Sequence, residues 1–213
     1  MEISWLGHSC FLIRGKEKTI ITDPYHPDLG YHLGKPEADI VTLSHFHPGH
    51  NYIEGVANEP KRVICPGEYE IGGTFITGVA SFHDNRRGNL RGKNTIYIVE
   101  TDGITLCHLG DLGHPLDPHL IEEIGDIDIL FLPVGEVSTI LIDMAVEIVR
   151  QLDPSIVIPM HYKTEAFTGD LSLIDKFLDK MRIRKLETMP KLSITRSSLP
   201  TPTQTTVLSY LHS

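Results

Sequence analysis

The sequence of 213 residues predicts an α+β fold in which β-sheets pack together with helices outside them. Two observations lead there. Short apolar runs rich in β-branched and aromatic residues, each bounded by Gly, Pro, Asp or Asn, dominate the first half. In the second half the hydrophobic period lengthens, and helical stripes alternate with buried strand-like runs.

In chain order the strands are expected at 3–6, 11–13, 19–22, 40–43, 62–65, 74–79, 94–100 and 104–109. Asp102-Gly103 fits a hairpin turn between the last two, because a tight turn needs a positive φ that glycine adopts without a Cβ clash. A short helix follows at 118–124, then a buried strand at 127–132. A helix over 139–152 carries Ile140, Met144, Ile148 and Leu152 on one face, a stripe that reads as core. A strand at 156–160 precedes a helix at 171–181 with Leu171, Ile174, Leu178 and Met181 aligned, and strands at 192–195 and 206–210 close the chain. With no linker, repeat or low-complexity tract, one domain over 1–213 is expected.

Composition narrows the function classes. Hydrophobic residues at 40% against 22% charged are ordinary for a globular chain and leave no case for disorder. Nineteen Lys and Arg against 28 Asp and Glu give a net charge of −9, which disfavours nucleic acid and anionic membrane surfaces as partners. No apolar run approaches the ~20 residues of a membrane span, and Met1-Glu2-Ile3-Ser4 lacks a basic signal-peptide start, so a cytoplasmic protein is expected. Cys10, Cys65 and Cys107 form neither a disulfide framework nor a Cys-rich zinc site and read as buried reduced thiols.

Histidine is the outlier, at 12 residues. Three fall in Ser44-His45-Phe46-His47-Pro48-Gly49-His50, directly after an expected strand. Alternate residues at a strand end share a side, so His45 and His47 can approach one ion at the roughly 2.0–2.1 Å of a Zn–N bond. A polar loop could hold three histidines by chance. However, ligand types recur after other strands: His83 in Ser81-Phe82-His83-Asp84, Asp111 in Leu109-Gly110-Asp111, and His161 in Pro159-Met160-His161-Tyr162.

That order resembles the metallo-β-lactamase fold superfamily, whose motifs run H-x-H-x-D-H, a later His, a Gly-Asp and a last His. Gly7-His8-Ser9, Thr22-Asp23-Pro24, Leu109-Gly110-Asp111 and Pro159-Met160-His161-Tyr162 look most similar to its compact ascorbate-6-phosphate lactonase-like branch. The resemblance implies a four-layer αββα sandwich. It also implies that His45, His47 and His83 hold a first metal, that Asp111 bridges, and that His50 and His161 hold a second. Asp111 and His50 would then serve catalysis, with a metal-bound hydroxide as nucleophile. Gly49 departs from the motif, standing where the Asp of H-x-H-x-D-H belongs, so the second ion is expected to be weakened and the count to be one or two. Asp84 is the nearest carboxylate in sequence that could fill the gap. Nitrogen and oxygen ligands without thiolate suit zinc, while manganese, iron or nickel fit the same ligand types.

Around this core, Asp23 is a candidate hydrogen-bond partner for a metal-bound histidine, or simply a turn residue before Pro24. His8 would line the pocket by the same resemblance, with a structural histidine as the equal alternative. His26, His32 and His114 lie in loops beside the motifs. Arg86, Arg87, Arg91 and Lys93 cluster after His83, and Lys163 follows His161; all could meet an anionic substrate or simply be solvated. Glu136 stands after Pro133-Val134-Gly135, where the family often has a second glycine. The function expected is a metal-dependent hydrolase of a small, anionic lactone, ester or phosphoester. The alternative is a metal-binding protein without turnover. A nuclease needs a basic arm, and a flavin-linked diiron protein needs a Glu in H-x-H; neither feature is present.

Overall fold

A computed structural model describes residues 1–184 and 188–210. Two sheets form. The first comprises β1 (Glu2–Gly7), β2 (Cys10–Arg14), β3 (Thr19–Thr22), β4 (Ile40–Thr42), β5 (Lys61–Val63) and a late strand, β12 (Leu192–Ser193). Its order is β12-β1-β2-β3-β4-β5. The second contains β6 (Gly67–Ile71), β7 (Thr74–Phe82), β8 (Lys93–Thr101), β9 (Ile104–His108), β10 (Ile129–Pro133), β11 (Ile156–Met160) and β13 (Gln204–Thr205), ordered β13-β11-β10-β9-β8-β7-β6.

Side-chain alternation explains why the first sheet is covered on both faces. Ile3, Trp5, Phe11, Ile13, Ile20 and Ile40 enter the core between the sheets, where Phe11 meets Phe131 of β10 at 4.3 Å between ring centroids. Leu6, Leu12, Ile21 and Val41 point the other way, under loops carrying Tyr25, Tyr31, Leu33, Val56, Phe167 and Leu171. Each fully buried side chain of this size contributes roughly 1.5–3 kcal/mol. The outer layer on this side is irregular chain with 3-10 turns at Pro27–Leu29 and Ile53–Gly55.

On the second sheet, β9, β10 and β11 run parallel, and β10 and β11 are buried along their whole length, as strands covered on both faces must be. The crossovers are α1 (Pro118–Ile124), capped by Asp117 on the Leu120 amide, and α2 (Ile142–Leu152). α3 (Asp175–Lys180) packs beside α2. Tyr97 of β8 ties the two sheets by donating to the carbonyls of Leu43 and Val63, both at 3.0 Å.

Several expectations are corrected. β6 was not expected: Gly67–Ile71 is a mostly exposed edge strand with Glu at alternate positions, and it offers no apolar run to find. It pairs with β7 through Gly72-Gly73. The segment 206–210 is not a strand, because the edge pairing stops at Thr205 and beyond it Leu208 makes a single bridge to Met189. The 139–152 helix begins at Ile142, since 136–139 form a turn closed by the Thr139 amide on the Glu136 carbonyl at 2.7 Å. The 171–181 helix shortens to Asp175–Lys180 because the Ser172 amide bonds the Gly135 carbonyl at 2.9 Å and Leu171 packs over the first sheet. Cys10 and Cys107 are buried, but Cys65 is exposed.

Candidate metal centre

β1 and β3 both run antiparallel to β2, and β4 runs parallel to β3. β7 and β9 both run antiparallel to β8, and β11 continues their direction through β10. The carboxyl ends of strands sharing a direction therefore gather His8 after β1, Asp23 after β3, His45, His47 and His50 after β4, His83 after β7, Asp111 after β9 and His161 after β11.

The cluster closes on one atom. Asp111 Oδ2 lies 3.2 Å from His83 Nε2, 3.2 Å from His161 Nε2, 3.3 Å from His50 Nε2 and 3.9 Å from His45 Nε2. One ring nitrogen each of His45, His47 and His83 lie within 4.8 Å of one another, and so do those of His8, His50 and His161. His47 is exposed, whereas His8, His45, His50, His83, His161 and Asp111 are buried. Thus all six expected ligands are brought together, and His8 joins them.

Supporting residues fix the orientations. Asp23 accepts from the Ser44 amide at 2.7 Å and from His50 Nδ1 at 2.9 Å, and it also bonds the Ser44 hydroxyl. Ser44 Oγ in turn contacts His45 Nδ1 at 2.9 Å, leaving Nε2 aimed inward. Asn94, which the sequence offered no reason to single out, accepts from the Asp111 amide at 2.9 Å while donating to Leu109 and Ser81. Gly110 makes this possible: its φ is +57°, and a Cβ there would lie 2.4 Å from Asn94 Oδ1.

Electrostatics suits cation binding. His45 is pushed down to about 2, chiefly by burial and then by neighbouring His50. Burial also lowers His47 and His8. Burial presses on His50 in the same direction, but the Asp111 and Asp23 carboxylates overcome it and raise the group to about 10. Asp111 is held well below the usual carboxylate range, because His161 and His50 outweigh its burial. His45 Nε2 and Asp111 Oδ1 are buried with no hydrogen-bond partner among the described residues. An unpaired buried polar atom costs roughly 1–3 kcal/mol, and imidazole nitrogen with carboxylate oxygen is the donor set that a divalent cation satisfies. The residues fit a metal.

Other candidates take different places. Asp84 does not fill the gap at Gly49: Oδ1 accepts from the amides of Arg86 and Gly88 at 2.7 and 2.9 Å, and Oδ2 from those of Leu90 and Arg91 at 2.9 and 2.7 Å. Its burial acts upward, yet these four donors bring its carboxyl down to about 2. Arg91 lines the cavity over the cluster, but Arg86 and Arg87 do not. Lys163 is drawn away from it, donating to the carbonyls of Phe167 and Gly169, both at 2.7 Å. His108 is structural, with Nε2 on the Ser9 carbonyl at 2.9 Å and Nδ1 accepting from the Gly110 amide at 3.2 Å. His114 accepts from the Phe82 amide at 3.2 Å. The cavity holds about 350 Å³ and also exposes Leu29, Val137, Phe167 and Leu171.

Two mixed sheets with a His/Asp cluster at one edge define the metallo-β-lactamase class of fold and site. The sequence profile of the β-lactamase superfamily domain matches residues 2–161, and the chain belongs to that family. Similar chains include UPF0173 metal-dependent hydrolases from Archaeoglobus fulgidus, 31% identical over 77% of this chain and 84% of the relative, and from Nanoarchaeum equitans, 33% identical over 77% and 85%. A crystal structure of a candidate zinc-dependent hydrolase of the metallo-β-lactamase superfamily from Thermotoga maritima superposes with a TM-score of 0.81 at 37% identity, covering 97% of each chain. The protein is a metal-dependent hydrolase of this superfamily. Among the described residues no helix is long and apolar enough to cross a membrane.

Proposed function

We propose that the protein hydrolyses a small anionic ester, lactone or phosphoester with zinc held by His45, His47, His83, His50, His161 and Asp111. The convergence of four imidazole Nε2 atoms on Asp111 Oδ2 carries this reading. Bound there, divalent cations supply Lewis acidity and a hydrolytic nucleophile at neutral pH. The chain's own groups do the rest. Asp111 is shared between the two histidine groups and neutralises part of their charge, and Asp23 holds the His50 ring by its far nitrogen, which fixes its tautomer. Arg91 places a cationic fork at the mouth for a carboxylate or phosphate, while Leu29, Val137 and Phe167 exclude water around an apolar substrate body.

Purified protein loaded with zinc should cleave lactone or phosphodiester probes, and His45→Ala should abolish the rate. No rate above the metal-free control across a broad panel would overturn the reading in favour of a metal-binding protein without turnover.

A further inference from the structure

The motif carboxylate missing at position 49 raises the question of what stands in its place. We infer that His8 is the third histidine of the second metal site, and that Gly49 is the space that admits it. The inference rests on the metal-centre reading above and names the residue that completes it.

Three observations point there. First, a ring nitrogen of His8 lies within 4.8 Å of those of His50 and His161, the two histidines of the second group. Its ring centroid is 4.2 Å from that of His161 and 4.9 Å from that of His50. Second, a Cβ built on Gly49 would fall 3.0 Å from His8 Nε2, so the ring fills the space beside the position where a motif side chain would start. Gly49 is not among the glycines of positive φ, so a side chain there would meet the His8 ring closely without straining the backbone. Third, His8 is only 4% exposed, its Nδ1 is buried without a partner, and its ring makes no hydrogen bond among the described residues. A purely structural buried histidine is bonded, as His108 is at both nitrogens. His8 has neither bond, and in this it matches His83 and His161, whose Nδ1 atoms are likewise buried without a partner among the described residues while their Nε2 atoms face the cluster.

The chain also invests in holding His8 there. Its φ is +53°, an uncommon conformation for a residue with a Cβ. Its carbonyl accepts from Trp5 Nε1 and from the His161 amide, each at 3.0 Å, which locks the two ligand-bearing turns together. Exchanging a carboxylate for a neutral imidazole leaves the second ion with one more net positive charge than the family motif gives it.

The test is ion stoichiometry and affinity, by elemental analysis and calorimetric titration with Zn²⁺, on wild type, His8→Ala, His8→Gly and the double variant His8→Gly/Gly49→Asp. Glycine relaxes the positive φ, so the second variant guards against a folding defect in the first. Wild type should bind two ions. Both single variants should keep one and lose the other by roughly 100-fold or more in affinity, exceeding the tenfold to hundredfold typical of outer-shell losses. The double variant should recover two. Two ions of unchanged affinity in the single variants would overturn the role of His8 while leaving the metal centre intact; a wild type that binds no metal would overturn the centre itself.

Discussion

Asp23 Oδ2 receives His50 Nδ1 at 2.9 Å, and the same carboxylate grips both the amide and the hydroxyl of Ser44, the residue that aims His45. One buried acid therefore sets the orientation of a ring in each histidine group, His50 directly and His45 through Ser44. Asp23→Asn keeps the volume and tolerates the φ of +39°, but it has one carbonyl oxygen for three donors. Zinc affinity should fall by roughly tenfold to a hundredfold with both ions affected. Calorimetric titration checks this, and an unchanged affinity at both sites would show that Asp23 only shapes the turn before Pro24.

Asp84 sits next to a ligand in sequence yet works as the clasp of the 85–91 loop through four backbone amides. Asp84→Ala should leave zinc stoichiometry unchanged. Hydrogen exchange at the amides of residues 86, 88, 90 and 91 should accelerate by roughly tenfold or more, as expected when hydrogen bonds worth about 1 kcal/mol each are lost. Loss of an ion in this variant would return Asp84 to the ligand set.

The clasp decides which of the clustered arginines can serve the site. All three arginines are exposed, but Arg91 lines the cavity with His47, His83 and Asp111, whereas Arg86 and Arg87 do not. For an anionic substrate, Arg91→Ala should raise KM about tenfold with a smaller change in kcat, and Arg91→Lys should recover part of it. Arg86→Ala and Arg87→Ala should stay within about twofold. Equal effects from all three would mean that diffuse charge attracts the substrate, and raising the salt concentration would then erase the differences.

Five histidines and an Asp placed just beyond apolar runs marked the candidate site in the sequence, while their grouping into two ligand sets rested on the resemblance to the family motifs. His8 follows a strand too, but one histidine between Gly7 and Ser9 reads equally as structure, and its unpartnered Nδ1 and its nearness to Gly49 arise only on folding. Asn94 carried no signal, since its task is to bond one amide across sheet neighbours that the chain brings together only on folding. The edge strand β6 lacked the apolar alternation that burial imposes, because little of it is buried. Lys163 shows the reverse failure: a cation two residues from a ligand, whose charge is spent on two carbonyls.

Glu136 ties the turn below the cavity to the segment leading into α3. Its backbone has a φ of +62°, which accounts for the ease with which glycine fits this place, and Oε2 accepts from Ser172 Oγ at 2.7 Å and Lys176 Nζ at 2.9 Å. Those partners, Lys176 first, lower its carboxyl from 4.5. The folded chain therefore holds fewer protons here than the unfolded chain between the two values, so the stabilisation is complete above 4.5 and disappears as pH falls through the lowered folded value. Lys176 is well exposed, which limits the pair to under about 1 kcal/mol. Urea unfolding of wild type and Glu136→Gln should differ by that amount near neutral pH and converge in acid below the folded value. A gap that persists there would assign the effect to the shape of the turn and not to the charge.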